Sequence, residues 1–191
     1  MWPKYEIASD PITEPISLAE ARLWLKLDSD NTLEDSAVSD LISAVREKFE
    51  DETGRALAVR DITAYWDRWP TDSVFALPMY PVIGVSEIGY KDTDGATQTW
   101  ATSNYTVDTV GITPRIWIAP DGEQPDTGAY PNAVWVTYVI GTEEIPLSAK
   151  QSLELNMAML YERREDMKIN DNEPHVRSAA WLAFNHRKRL I

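Results

Sequence analysis

The chain has 191 residues, 43% of them hydrophobic, and a formal net charge of −13 with no cysteine. That length suits one domain with an appendage or two small domains, and the hydrophobic content with eight Trp excludes global disorder. Disulfides and thiolate metal sites are excluded, no apolar run is long enough for a membrane span, and the opening MWPKYEIASD lacks the apolar stretch of a signal peptide, so a cytosolic or virion protein is expected.

Pro3, Pro11 and Pro15 predict irregular structure over residues 1–14. Ser17 and Glu20 then stand at capping-box spacing, predicting a short helix from Leu18 to Leu25 with Leu18, Ala21, Leu25 and Trp24 as inward positions. The acidic run DSDN at 28–31 lacks the Gly and the distal Glu of a calcium loop and reads as a solvated turn. Thr32 and Asp35 suggest another cap, and Val38, Leu41, Ile42, Val45 and Phe49 recur at helical spacing until Gly54, a natural stop.

From residue 55 to 141 the pattern shifts to period two. LAVRDITAYWDRW, VFALP, PVIGVSEIGYKD, ATQTW, NYTVD, RIWIA and NAVWVTYVIG read as strands, with Asp94-Gly95 as a hairpin turn. Six to eight short strands at this spacing predict a compact antiparallel sandwich or barrel. Residues 120–132, PDGEQPDTGAYPN, form a long polar loop, a class of segment often used for contact.

Pro146 opens a third helix, in which Ala149, Leu153, Met157, Leu160 and Tyr161 share one stripe. Leu155 and Met159 lie off that stripe. A helix apolar on two sides needs two covers, and the second can be the sheet or a neighbouring subunit, which makes Leu155 and Met159 candidate subunit-interface residues. Residues 162–174 are polar and read as a linker. His175 to Leu190 reads as a final helix.

Enzyme signatures are absent: there is no G-x-G-x-x-G, P-loop, H-E-x-x-H or G-x-S-x-G, and both histidines, His175 and His186, lie near the C-terminus without a neighbouring ligand pattern. No catalytic residue, metal or cofactor is therefore assigned. With 31 acids, a pair of carboxylates by itself has no diagnostic value. The aromatics of the β region, among them Trp66, Trp69, Trp100, Trp117 and Trp135, admit two readings. One is core and interface packing; the other is a stacking platform of a sugar- or peptide-binding module.

Charge is unevenly spread. Residues 1–173 hold all 31 acids and 14 of the 18 Lys and Arg, a net −17, whereas residues 174–191 net +4. The stretch RSAAWLAFNHRKRLI, 177–191, has no acid and carries Arg177, Arg187, Lys188 and Arg189. One reading is a helix folded on its own domain, with its bases at the favoured C-terminal end. The other is an anchor for another protein, with the aromatic residues as the buried part and a charge opposite to that of the body.

PISLAEARLWLKLD, LISAVREKFEDETGRAL, LPMYPVIGVSEIGYKDTDG, VWVTYVIG and PLSAKQSLELNMAMLYERRE occur in this order. Together they resemble the head–tail connector, or adaptor, family of tailed bacteriophages and phage-like gene transfer agents, over roughly residues 15–165. The resemblance implies an α+β fold: a helical bundle with an inserted antiparallel β-rich sandwich or barrel, followed by a C-terminal anchoring helix. On this reading residues 1–165 form the connector domain, with helices at about 17–25, 33–53 and 147–165 and the insertion at about 55–141, and residues 166–191 are linker and tail.

The resemblance further implies a virion protein of the head–tail interface, made in the host bacterial cytoplasm. Its subunits would form a homo-oligomeric, twelve-fold ring beneath the portal protein, carry DNA through a channel without sequence-specific binding and present a surface to the next tail-side connector or stopper protein, with no membrane involved. Trp181, Phe184, Arg187, Lys188 and Arg189 are then the expected portal-binding residues.

Overall fold

The computed structural model describes residues 3–28 and 32–162. The chain divides into two compact units: residues 1–12 with 58–142, and residues 13–57 with 143–191. The first is β-rich and the second helical, so the β unit is inserted between the second and third helices.

In the helical unit, α1 spans Leu18–Trp24, α2 spans Asp35–Thr53 and α3 spans Leu147–Glu162. The Ser17–Glu20 capping box forms as expected: Ser17 Oγ accepts from the Glu20 N–H at 3.2 Å, and Glu20 Oε2 accepts from the Ser17 N–H at 2.9 Å. This satisfies two donors that the first turn would otherwise leave open. Gly54, at φ 68°, ends α2 in the left-handed region. The start of α2 differs from expectation. Glu34 occupies its N-cap without a side-chain capping bond, its carboxylate accepting instead from the Tyr161 hydroxyl, and both Asp35 oxygens accept from Arg22 Nη1, at 2.8 and 3.0 Å, tying α1 to α2.

Ile16, Ala21, Val38, Ile42, Val45, Phe49, Leu57, Ala149, Leu153 and Met157 make the core of this unit. The spacing of Val38, Ile42, Val45 and Phe49 puts them on one face of α2, and Ala149, Leu153 and Met157 do the same for α3. Trp24 corrects the reading of α1: Ala21 turns inward, but Trp24 remains 46% exposed. Ala21 is the only fully buried residue of this two-turn helix, and Trp24, in its last turn beside exposed Leu23, faces outward.

Beneath the core apolar residues runs a buried ionic network. Arg46 and Glu50, only 3% and 2% exposed, pair at 3.1 Å. Arg46 Nε also donates to Glu14 at 2.8 Å, while the second Glu50 oxygen accepts from the Leu57 N–H at 2.7 Å. Burial works against the charge on Arg46, but the Glu14 bond and the Glu14 and Glu50 carboxylates outweigh it and raise its pKa.

The β unit contains a five-stranded and a three-stranded antiparallel sheet. The strands are β1 (Lys4–Ile7), β2 (Arg60–Trp66), β3 (Val74–Ala76), β4 (Val82–Lys91), β5 (Thr97–Thr99), β6 (Tyr105–Asp108), β7 (Arg115–Ile118) and β8 (Val134–Ile140). Their orders are β1-β2-β8-β4-β5 and β3-β7-β6. On central β8, Val134, Val136, Tyr138 and Ile140 are buried, while Trp135, Thr137 and Val139 alternate to the other face. Phe75 of the small sheet meets Trp66 of the large one edge to face, 5.0 Å between centroids, so the sheets share a core. The mixed α+β architecture with an inserted antiparallel sandwich is thus present. Strand β1 is a correction to the irregular N-terminus. All four of its residues are exposed and its order comes from backbone pairing to β2, which its own side-chain pattern does not announce.

Candidate functional site

Three regions were candidates for contact: the β-region aromatics with loop 120–132, the outer surface of the helical unit, and the C-terminal segment. Trp66, Trp69 and Trp100 converge, whereas Trp117 is 45% exposed with the Arg115 guanidinium 5.4 Å over its ring. Trp69 lies 4.8 Å from Trp100, 5.9 Å from Phe75 and 5.8 Å from Tyr90, and Trp100 stacks on Tyr105 at 5.5 Å. Trp100 is buried, while Trp66, Trp69, Tyr90 and Tyr105 are half-buried. These rings spend their faces on one another, which favours packing over an open stacking platform.

The cluster also holds the long loop. The Trp69 and Trp100 indole N–H groups donate to the carbonyls of Pro125 and Glu123, each at 2.8 Å. The Gly128 N–H donates to the Asp92 carbonyl, and the Asn132 N–H to Asp67 Oδ1. The polar loop is therefore a fixed surface feature, seated at both ends. Sequence reasoning found the loop and the rings but not that one anchors the other.

A different surface is apolar. On the outer side of α1, Leu23 is 80% exposed beside Trp24. Together with Glu20, Lys26 and Glu154 they line a cleft of about 430 Å³. Lys150 Nζ lies 2.5 Å from Glu20 Oε1. That bond, with those from Ser17, lowers the Glu20 pKa to about 2. Glu154 shifts upward, chiefly through burial and also through the neighbouring Glu20 charge, with Lys150 opposing. The cleft thus combines two exposed apolar side chains with two carboxylates in different electrostatic states.

Of the residues expected at interfaces, Leu155 is half-buried on α3, whereas Met159 is already only 5% exposed within the chain. Trp181, Phe184, Arg187, Lys188 and Arg189 lie outside the described residues, as does the expected C-terminal helix. Among the described residues, no group of three or more His, Asp or Glu side chains is arranged to hold a metal ion, and no helix is long and apolar enough to cross a membrane.

No protein-family model matches the chain, and no curated protein does. Solved structures do. A chain from the neck of an empty gene transfer agent (GTA) particle, treated with C6 symmetry, superposes with a TM-score of 0.82 at 21% identity, covering 98% of this chain and 97% of the other. The fold is one found in a GTA neck. A chain from the virion of a native GTA particle gives a TM-score of 0.81 with 98% and 96% coverage, again at 21% identity. A third, from the neck of a native particle with C12 symmetry, gives 0.76 with 98% and 97% coverage at 21% identity. The GTA-neck fold accounts for the insertion of a β unit between α2 and α3 as a shared architecture.

Proposed function

We propose that the protein is a structural head–tail adaptor of a gene transfer agent or phage-like particle. The single observation that carries this reading is the likeness of nearly the whole chain to chains from GTA necks, at a TM-score of up to 0.82. The C6 and C12 symmetry of those necks supports a ring of identical subunits in which each copy meets two neighbours through different surfaces. Leu155, half-buried on α3, is a proposed contributor to that contact.

In this role the ring sits beneath the portal protein, extends the DNA channel and offers the seated loop 120–132 to a tail-side component. The overall charge of −13 disfavours adhesion of the phosphate backbone, which suits a wall that DNA slides past. The portal contact is assigned to Trp181, Phe184, Arg187, Lys188 and Arg189: two aromatic anchors and three cations on an otherwise acidic protein.

The test is addition of the full-length protein to portal-containing heads that lack it, followed by imaging. A ring at the portal vertex is the expected result. Reversing the three cations (Arg187→Glu, Lys188→Glu, Arg189→Glu) removes the ring if the segment is the anchor. Rings that persist would keep the adaptor role and refute the anchor. No binding by the unaltered protein would sink the adaptor reading.

A further inference from the structure

The cleft beside α1 leaves Leu23 and Trp24 uncovered, although the Ser17–Glu20 capping box and the buried Ala21 hold that helix in place. We propose that in the free protein this cleft is the seat of the chain's own C-terminal segment, residues 177–191, which docks there before it engages any partner. The inference does not depend on what the segment binds in a particle.

Size and chemistry agree. The cleft, about 430 Å³ and largely open to solvent, has room for apolar side chains to lie against its walls. Segment 177–191 carries Trp181 and Phe184 to meet Leu23 and Trp24. An aromatic side chain moved out of water against exposed Leu and Trp gains roughly 25 cal/mol for each Å² of apolar surface buried.

Charge adds direction. Residues 13–57 and 143–162 together contain fifteen Asp and Glu against six Lys and Arg, whereas residues 177–191 contain four Lys and Arg and no acid. Lys150 engages Glu20 and Lys26 lies on the rim, so the cleft itself is close to balanced. The attraction is therefore a field of the whole helical unit that steers the segment, while the apolar contact holds it. Glu154 is the one acid of the cleft whose ionised form is disfavoured where it stands, by burial and by Glu20, and a cation from the segment would relieve it.

Reach favours the chain's own segment over that of another copy. Fourteen residues, 163–176, separate Glu162 from Arg177, and extended they span up to roughly 45 Å. Glu154 lies eight residues before Glu162, about 12 Å back along α3. A tether of this length gives an effective concentration on the order of millimolar, far above that of a second copy in dilute solution. The arrangement covers the most apolar part of the segment until a higher-affinity surface takes it, so docking in the cleft and engagement of a partner through Trp181 and Phe184 exclude each other.

The absence of native Cys makes disulfide trapping free of background. The full-length chain with Lys26→Cys and Asn185→Cys is oxidised in dilute solution, and intramolecular closure is followed by non-reducing electrophoresis and mass spectrometry. The reference pair is Asp51→Cys with Asn185→Cys, at an exposed position of α2. Closure by the cleft pair about ten-fold or more faster than by the reference pair is expected, because docking raises local concentration above that of a free tether. Leu23→Asp added to the cleft pair removes that excess, and being at an exposed position it leaves the fold intact. Equal rates for the two pairs overturn the proposal, as does an excess that survives Leu23→Asp. Disulfides that form only between copies also overturn it, placing the segment on a second molecule.

Discussion

The indole of Trp135 occupies the space that a side chain at Gly89 would need. The two residues face each other across β4 and β8, and a Cβ built on Gly89 would fall 2.3 Å from the Trp135 ring. No real Cβ tolerates that approach. Gly89→Ala therefore forces the indole off its seat and lowers stability by about 1–3 kcal/mol, the usual cost of overpacking. Urea unfolding measures it. In the Trp135→Ala background the same substitution becomes much less costly, because the ring it collides with is gone.

Glu50 serves two buried partners at once, the Arg46 guanidinium and the Leu57 N–H. Glu50→Ala leaves a buried cation with one fewer counter-charge and a backbone donor without its acceptor, at an expected loss of about 3–5 kcal/mol. The double variant Arg46→Met with Glu50→Leu loses clearly less than the sum of the single changes, since it removes both charges together. A double-mutant cycle by chemical denaturation decides the matter.

Acid should release the clamp between α1 and α3. Lys150 and the Ser17 bonds lower the Glu20 pKa to about 2 from the usual 4.5. A carboxylate depressed on folding contributes stability that is fully present above its unfolded pKa and lost as pH falls through its folded one. The stability difference between the unaltered protein and Glu20→Gln is thus constant near neutrality and shrinks between about pH 4.5 and 2. Glu154 works in the opposite sense: its pKa is raised, chiefly by burial, so its ionised form opposes folding and Glu154→Gln is neutral or mildly stabilising at pH 7. Unfolding curves across pH for the two variants separate these signs.

Loop 120–132 should loosen when either indole donor is removed. Trp69→Phe keeps an aromatic ring but loses the bond to the Pro125 carbonyl, and it costs about 1 kcal/mol or somewhat more. Hydrogen exchange and protease cleavage rise within residues 121–128, while the amides of β8 stay protected. Uniformly increased exchange would mean that the indole acts only through the core.

Most elements with a periodicity of their own were legible in the sequence. The α2 stripe, its Gly54 stop, the Ser17–Glu20 box, the alternation of β8 and the turn at Asp94-Gly95 each carry the signal within a few residues. What escaped depends on partners distant in the chain. Strand β1 exists because Tyr5 pairs opposite Ala64. Arg46 and Glu50 look like ordinary solvent-facing charges until Glu14 and the Leu57 N–H reach them. The Gly89–Trp135 contact requires the register of β4 on β8, which two irregularities in β4 shift. Trp24 looked inward on α1 because hydrophobicity alone does not state which arc of a short helix the other helices occupy.

The insertion of the β unit also orders events on the ribosome. Residues 1–12 and 58–142, the entire β unit, emerge from the ribosome before α3 does. At roughly 5–20 residues per second, the sheets have a second or more to pair while α1 and α2 wait with the faces of Val38, Ile42 and Phe49 uncovered. Only when Ala149, Leu153 and Met157 emerge can the helical core close, so the newborn chain completes its β unit before its helical one.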